Sequence, residues 1–338
     1  MTPTRFAALA AAAALVALTV ILLGAYVRLS DAGLGCPDWP GCYGRLAVPS
    51  DSQAIAEANA AFPQRALDSG KAWKEMLHRY LASGLGLLIG ALTLIAWRYR
   101  RDQGLPVAAV SALLVLVIAQ GLLGMWTVTL LVKPLIVTAH LLGGMATLAL
   151  LGWLALRQGY PRPPLPGASL ARLRPWAWGG LALLVGQILL GGWTSSNYAA
   201  LACTEFPQCA GGLWWPAPDF REAFVLWRGL GRSYEFGVLN ADARAAIHLT
   251  HRLGALLVLL YLGGFAWQWL RRSTETLHRH LGLALLGLLL LQVGLGIANV
   301  LAHLPLPVAV AHNGGAALLL LTLVTLLHVL TPTAGARP

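Results

Sequence analysis

Apolar residues gather in eight long runs, roughly 6–27, 78–97, 106–128, 135–156, 176–196, 245–270, 281–302 and 307–330. Crossing the hydrocarbon of a bilayer takes about 20 apolar residues per helix. A spanning chain must satisfy its backbone polar groups internally, and a helix does so within one segment. The pattern therefore predicts an all-α polytopic membrane protein with eight transmembrane helices. The first run, with Arg5 ahead of an alanine-rich stretch, looks like a secretory signal, but it exceeds the about 7–15 residues of a signal core. Its end, Ile21-Leu22-Leu23-Gly24, recurs as Ile188-Leu189-Leu190-Gly191, so it is read as part of the mature fold.

An internal duplication divides the chain. Gly35-Cys36-Pro37-Asp38-Trp39-Pro40-Gly41-Cys42 matches Ala202-Cys203-Thr204-Glu205-Phe206-Pro207-Gln208-Cys209 at an offset of 167 residues. His78-Arg79 pairs with His251-Arg252, Gln120-Gly121-Leu122-Leu123-Gly124 with Gln292-Val293-Gly294-Leu295-Gly296, and His140 with His312, at offsets of 173, 172 and 172. Two similar units follow, expected as two pseudo-symmetric four-helix bundles over 1–158 and 175–338. They are joined by a linker over 159–174, where four prolines oppose helix.

Composition agrees with this picture: 57% of residues belong to the AVILMFWYC set and 11% are charged. The net charge of +11 would suit nucleic acid, but its distribution points elsewhere. Connections 98–102, 157–174 and 271–279, with the termini, hold twelve Arg against Asp102 and Glu275. The remaining twelve Lys and Arg face eleven acids. By the positive-inside rule the basic side is cytoplasmic, so both termini are expected inside, in a bacterial inner membrane, with lipid rather than nucleic acid as the contact.

The four cysteines then fall in two outer loops as Cys36/Cys42 and Cys203/Cys209. On the oxidising periplasmic side two local disulfides are expected; a zinc site finds no histidine near either pair in sequence.

Four of nine histidines, His78, His140, His251 and His312, take repeat-equivalent places near outer helix ends, with spacings of 62 and 61 residues within each half. An ionisable residue inside a membrane helix is a functional candidate. Two antiparallel helices presenting one imidazole each at one depth suit bis-histidine ligation of a haem, and Gly143-Gly144 and Gly314-Gly315 beside His140 and His312 are read as room for the macrocycle. The plainer alternative is four interhelical hydrogen-bonding histidines. Arg79 and Arg252 follow two of them, either contacting haem propionates or snorkelling to headgroups. Glu75 stands one turn before His78 where the second half has His248, which makes it the candidate catalytic carboxylate; an interface glutamate paired with Lys71 or Arg79 is the structural alternative. His278 and His280 are placed in a basic inner loop, His303 in an outer turn and His328 at an inner helix end. Tryptophans such as Trp39, Trp73, Trp193, Trp214 and Trp215 are read as an interfacial belt. The long loop over 197–243 is assigned no role; a short amphipathic segment on the membrane near 219–232 is one reading of it.

Gly33-Leu34-Gly35-Cys36-Pro37-Asp38-Trp39-Pro40-Gly41-Cys42-Tyr43-Gly44, Glu75-Met76-Leu77-His78-Arg79, the two later histidines and His251-Arg252 resemble the haem A synthase family of bacteria and mitochondria, from about residue 15 to about 330. The resemblance implies an oxidoreductase that converts the C8 methyl of haem O to the formyl of haem A by successive hydroxylations. It implies haem O as substrate and haem O synthase and terminal oxidase assembly as partners, and it is compatible with a homo-oligomer. It also implies a haem B cofactor on His251 and His312, and substrate haem on His78 and His140 with Glu75 in the chemistry. The first half would then be the substrate half. A dihaem b-type cytochrome reacting with quinone, or a transporter with proton-carrying histidines, are the competing functions.

Overall fold

The computed structural model describes residues 2–100, 105–159 and 168–331. Among the described residues, eight helices are long and apolar enough to cross a membrane, in number as the hydropathy pattern predicts. They are α1 (Pro3–Leu29), α3 (Ser69–Arg98), α4 (Val107–Thr129), α5 (Pro134–Gly159), α7 (Arg174–Ser196), α9 (Ala241–Arg272), α10 (Thr276–Leu301) and α11 (Leu306–Val329). Three short helices, α2 (Ser52–Ala61), α6 (Ala168–Ala171) and α8 (Phe220–Ala223), lie between them. Three of the long helices, α1, α3 and α9, start on side-chain caps that satisfy a first free N–H group. Asp68 accepts from the Lys71 N–H at 3.0 Å and Asn240 from the Ala243 N–H at 2.8 Å.

In the first half, α1, α3, α4 and α5 close a ring in which each helix packs on the next. In the second half, α7, α9, α10 and α11 close a ring of the same order. The rings meet through α1 on α11, α5 on α7 and α5 on α11. Small side chains permit these approaches, as is usual where lipid removes the hydrophobic drive between helices. A Cβ on Gly314 of α11 would sit 2.9 Å from Leu22 of α1. The outer turns repeat as well: Leu131 and Val132 take left-handed φ of 51° and 53°, and His303 and Leu304 take 57° and 62°.

Several expectations need correction. Of the linker expected over 159–174, residues 160–167 lie outside the described residues, and 168–171 form the one-turn α6. Near 219–232 only Phe220–Ala223 is helical, so no amphipathic helix lies there. The helix α2 was not foreseen, although Asp51 before an alanine-rich run is an N-cap signal. Trp193 is buried and donates its indole N–H to the Ala223 carbonyl at 3.0 Å, which removes it from any interfacial belt. His278 is a buried residue of α10 packed edge-on against Trp269, because that helix begins earlier than the apolar run.

The loop from 220 to 237 belongs to the second half in sequence but is fastened to the first. Lys133, buried in the turn between α4 and α5, donates to the carbonyls of Arg228 and Gly229 and lies 3.3 Å from the Trp227 ring centroid. Arg65 pairs with Glu235 at 3.3 Å, and the Tyr234 N–H reaches the Leu131 carbonyl at 3.1 Å. Burial holds the Lys133 ammonium below its ordinary pKa, so the two carbonyls and the indole face must compensate its lost hydration. Lys133→Met keeps the apolar stem and removes those donors, at a cost of about 2 kcal/mol. Trypsin is expected to cut after exposed Arg232 several-fold faster in this variant; an unchanged digestion rate would show that the loop is held by other contacts.

Candidate functional site

His78 on α3 and His140 on α5 come from opposite corners of the first ring, and His251 on α9 and His312 on α11 from opposite corners of the second. Within each ring the two imidazoles lie close enough for charge on one to bear on the other. The other two corners supply glycines. A Cβ on Gly24 of α1 would stand 2.9 Å from His78 Cε1, and one on Gly124 of α4 would stand 3.5 Å from His140 Cε1. In the second ring Gly191 and Gly296 give 3.3 Å and 3.2 Å to His251 and His312. Each ring is thus pressed by a neighbouring helix that carries no side chain at that point.

These residues fit a porphyrin iron. One ring nitrogen of each of His78, His140 and His312 is buried without a hydrogen-bond partner, which costs free energy unless a ligand meets it. All four histidines are half-buried as whole residues. Among the described residues no group of three or more His, Cys, Asp and Glu side chains gathers to hold a metal ion. Two axial histidines suffice for haem, because the macrocycle supplies the other four nitrogens. The expected role of the paired glycines is corrected. A Cβ on Gly143 or Gly315 would collide with the amide of Gln120 or Gln292, and Gly144 and Gly314 admit Ile21 and Leu22, so these positions receive neighbouring side chains rather than a macrocycle.

Above the histidines, each outer loop is a disulfide-closed turn tied to the helix below. Cys36 is bonded to Cys42 and Cys203 to Cys209, with Cα separations of 4.8 Å and 4.2 Å. Asp38 accepts from the Tyr43 and Gly44 N–H groups, each at 2.7 Å; Glu205 accepts from Gly211 and Gly212 at 2.9 Å and 3.0 Å. Successive left-handed residues aim those N–H groups together, which is why an acid follows each first cysteine.

Glu75 and His248 hold these loops from below. Glu75 Oε2 accepts the Cys36 N–H at 2.9 Å, and Oε1 pairs with Arg79. His248 Nδ1 accepts the Cys203 N–H at 3.1 Å, and Nε2 lies 3.3 Å from Arg252 Nε. Arg79 donates to the carbonyls of Asp38, Pro40 and Gly41; Arg252 donates to those of Cys203, Glu205 and Gln208. Glu75 therefore pairs with Arg79, not with Lys71, and both arginines fasten loop carbonyls, a role that sequence spacing did not disclose.

Eight spanning helices in two rings, each bringing two histidines from opposite corners, define a multi-pass membrane protein. The chain belongs to the COX15-CtaA family of cytochrome oxidase assembly proteins, whose model matches residues 7–324. A protein of Shewanella oneidensis named Heme A synthase is 48% identical over 313 residues, covering 93% of each chain. Proteins of the same name from Rhodospirillum centenum and a Caulobacter species are 31% and 29% identical, over 94% and 92% of this chain and 86% and 92% of their own.

The loop geometry carries a prediction. Closing so short a loop restricts the unfolded chain by about 2 kcal/mol. The double substitution Cys36→Ser with Cys42→Ser should lower the purified yield and the thermal midpoint in detergent. Unchanged values for both would mean that Asp38, Glu75 and Arg79 hold the turn without the covalent link.

Proposed function

We propose that this chain oxidises the C8 methyl group of haem O to the formyl group of haem A by successive hydroxylations, for use in terminal oxidases. The observation that carries the reading is the facing histidine pair that recurs in each helix ring, in a chain of this family. His251 and His312 hold a resident haem B. When bound, that haem supplies a one-electron redox centre within the membrane. His78 and His140 hold the substrate haem at the matching place in the first half. Residues 1–158 are then the substrate unit and 175–338 the cofactor unit.

Glu75 is the catalytic carboxylate of this proposal. It is buried one turn before His78 and fixed by the Cys36 N–H and the Arg79 guanidinium. Each hydroxylation by water releases two electrons and two protons, so an electron acceptor from outside the chain has to take the electrons; the positive charge that builds at the methyl carbon as they leave would be stabilised by a buried carboxylate. The same oxygens can take a proton from the water that adds. His248, in the equivalent place, offers no fixed negative charge. A haem propionate meeting Arg79 or Arg252 must share a guanidinium that already holds main-chain carbonyls.

The even number of spans and the basic bias of one side support a bacterial inner-membrane placement, with both termini cytoplasmic and the disulfide loops periplasmic. Haem O synthase and the assembling terminal oxidase stand on either side of the reaction.

The function is tested by expressing the chain in a host that makes haem O and extracting the pigments. Formyl haem is expected only when the chain is present. His251→Ala and His312→Ala should remove the resident haem spectrum, whereas His78→Ala and His140→Ala should keep much of it and abolish product. Equal depletion by all four would reject the division between halves. For Glu75 two variants are needed, because it also anchors a loop. Glu75→His imports the residue that anchors the second loop, and Glu75→Gln keeps an acceptor for Cys36. Both should retain the haem spectrum and accumulate haem O, with product falling about a hundredfold. Full activity in Glu75→His would leave Glu75 only its anchoring role.

A further inference from the structure

Two turns outside His78 on α3 stands Lys71, and two turns outside His251 on α9 stands Arg244. A seven-residue step along a helix returns to within about 20° of the same face and rises about 10 Å, so each cation lies over its histidine on the outer side. The two cations are related by the same offset of 173 residues as the two histidines. Seven residues inward on the same faces stand Leu85 and Val258, both buried in the apolar core. Each face therefore runs from a cation through an imidazole to hydrocarbon, from the loops toward the middle of the bilayer.

The fold gives neither cation a partner. Among the described residues the side chains of Lys71 and Arg244 make no hydrogen bond, ion pair or ring contact, and Arg244 Nε is buried without an acceptor. Glu75, one turn from Lys71, is taken by Arg79 and the Cys36 N–H; His248, one turn from Arg244, by Arg252 and the Cys203 N–H. Arg79 and Arg252 are themselves occupied by loop carbonyls. Lys74 lies over the Tyr26 ring at 5.1 Å and has Ile247 as its counterpart, so it is not part of the repeat. A cation held partly out of water without an anion is costly, and a ligand that brings negative charge offsets that cost.

A haem brings such charge in its propionates. Axial ligands from opposite corners of a helix ring stand the macrocycle on edge, so its propionates point either to the loops or to the bilayer middle. In the inner direction Leu85 and Val258 offer an ionised carboxylate nothing. The outer direction leads to Lys71 and Arg244.

We propose that Lys71 and Arg244, rather than Arg79 and Arg252, each receive a haem propionate and so set which edge of the macrocycle faces the loops. This rests on the reading that the histidine pairs hold haem, and it deepens that reading by naming the groups that recognise the carboxylate edge. On haem O the C8 methyl adjoins a propionate arm. Anchoring that arm at Lys71 brings the methyl toward the level of Glu75, which stands between Lys71 and His78 on α3.

The test is a chemical cycle on the full-length protein in detergent. Haem B and its dimethyl ester, whose propionates carry no charge, are titrated into haem-free protein while the Soret band is read. His78→Ala with His140→Ala confines binding to the second pair, and His251→Ala with His312→Ala confines it to the first. In those backgrounds Arg244→Met and Lys71→Met, respectively, should weaken haem B about tenfold and leave the ester unchanged. Retained ester binding shows that the fold survives. Arg244→Lys and Lys71→Arg keep the charge and should keep the preference for the acid. Equal weakening of haem B and ester would overturn the inference by making the cations packing residues, and weakening of neither would overturn it by leaving them to lipid headgroups. A chain with all four histidines that takes up neither form would sink the parent reading instead.

Discussion

A neutral imidazole inside a lipid-embedded helix brings two polar nitrogens to a depth where water supplies no partners. Both nitrogens of four such rings have to be met by the protein or by something it binds. The fold sets a glutamine amide nitrogen 3.1 Å from His251 and 3.4 Å from His312, and a glycine-bearing helix against each of the four rings. Four helices closing in the order α1, α3, α4, α5, and again α7, α9, α10, α11, are what allow two histidines to face each other while two glycine-bearing helices close the walls.

The outer loops serve this arrangement from above. A disulfide turn would be a poor lid by itself, since a segment as short as 36–42 buries little apolar surface. Glu75 with Arg79, and His248 with Arg252, tie each turn to the helix that carries a histidine one turn below. Loop position and histidine position are therefore coupled through one helix face. The two halves perform the anchoring with different chemistry, and the carboxylate in the first half leaves a fixed charge near the site where the proposed oxidation takes place. The 220–237 loop adds a second coupling, between halves, through Lys133, Arg65 and Tyr234. Arg28 adds a third, donating to the Ser195 carbonyl at 2.7 Å and lying over the Tyr198 ring at 4.2 Å.

Much of the fold was legible because bilayer thickness imposes a length on each helix and because the chain repeats itself. The eight spans and the repeat-equivalent histidines followed from those two facts. Helix ends were less legible: α10 starts at Thr276, inside a basic segment, because its first turns bury His278 against Trp269. The loop-anchoring role of Glu75 and Arg79 was hidden, since their partners are main-chain groups some forty residues away, which carry no side-chain signature. Gln120 and Gln292 were visible as part of the repeat, but that their amides pack against Gly143 and Gly315 appears only in the structure. Read in the sequence as space for a macrocycle, Gly143 and Gly315 instead receive glutamine side chains from the neighbouring helix.

The claim on which the account turns is that one half retains its haem while the other admits a haem in passage. It is tested most directly by counting haem per chain in protein purified from two hosts, one making haem B alone and one making haem O as well. The account predicts one low-spin haem B per chain from the first host, and the same haem B plus haem O or its oxidised products from the second. Two tightly held haems B per chain from the first host would contradict it and make the molecule a dihaem electron-transfer protein.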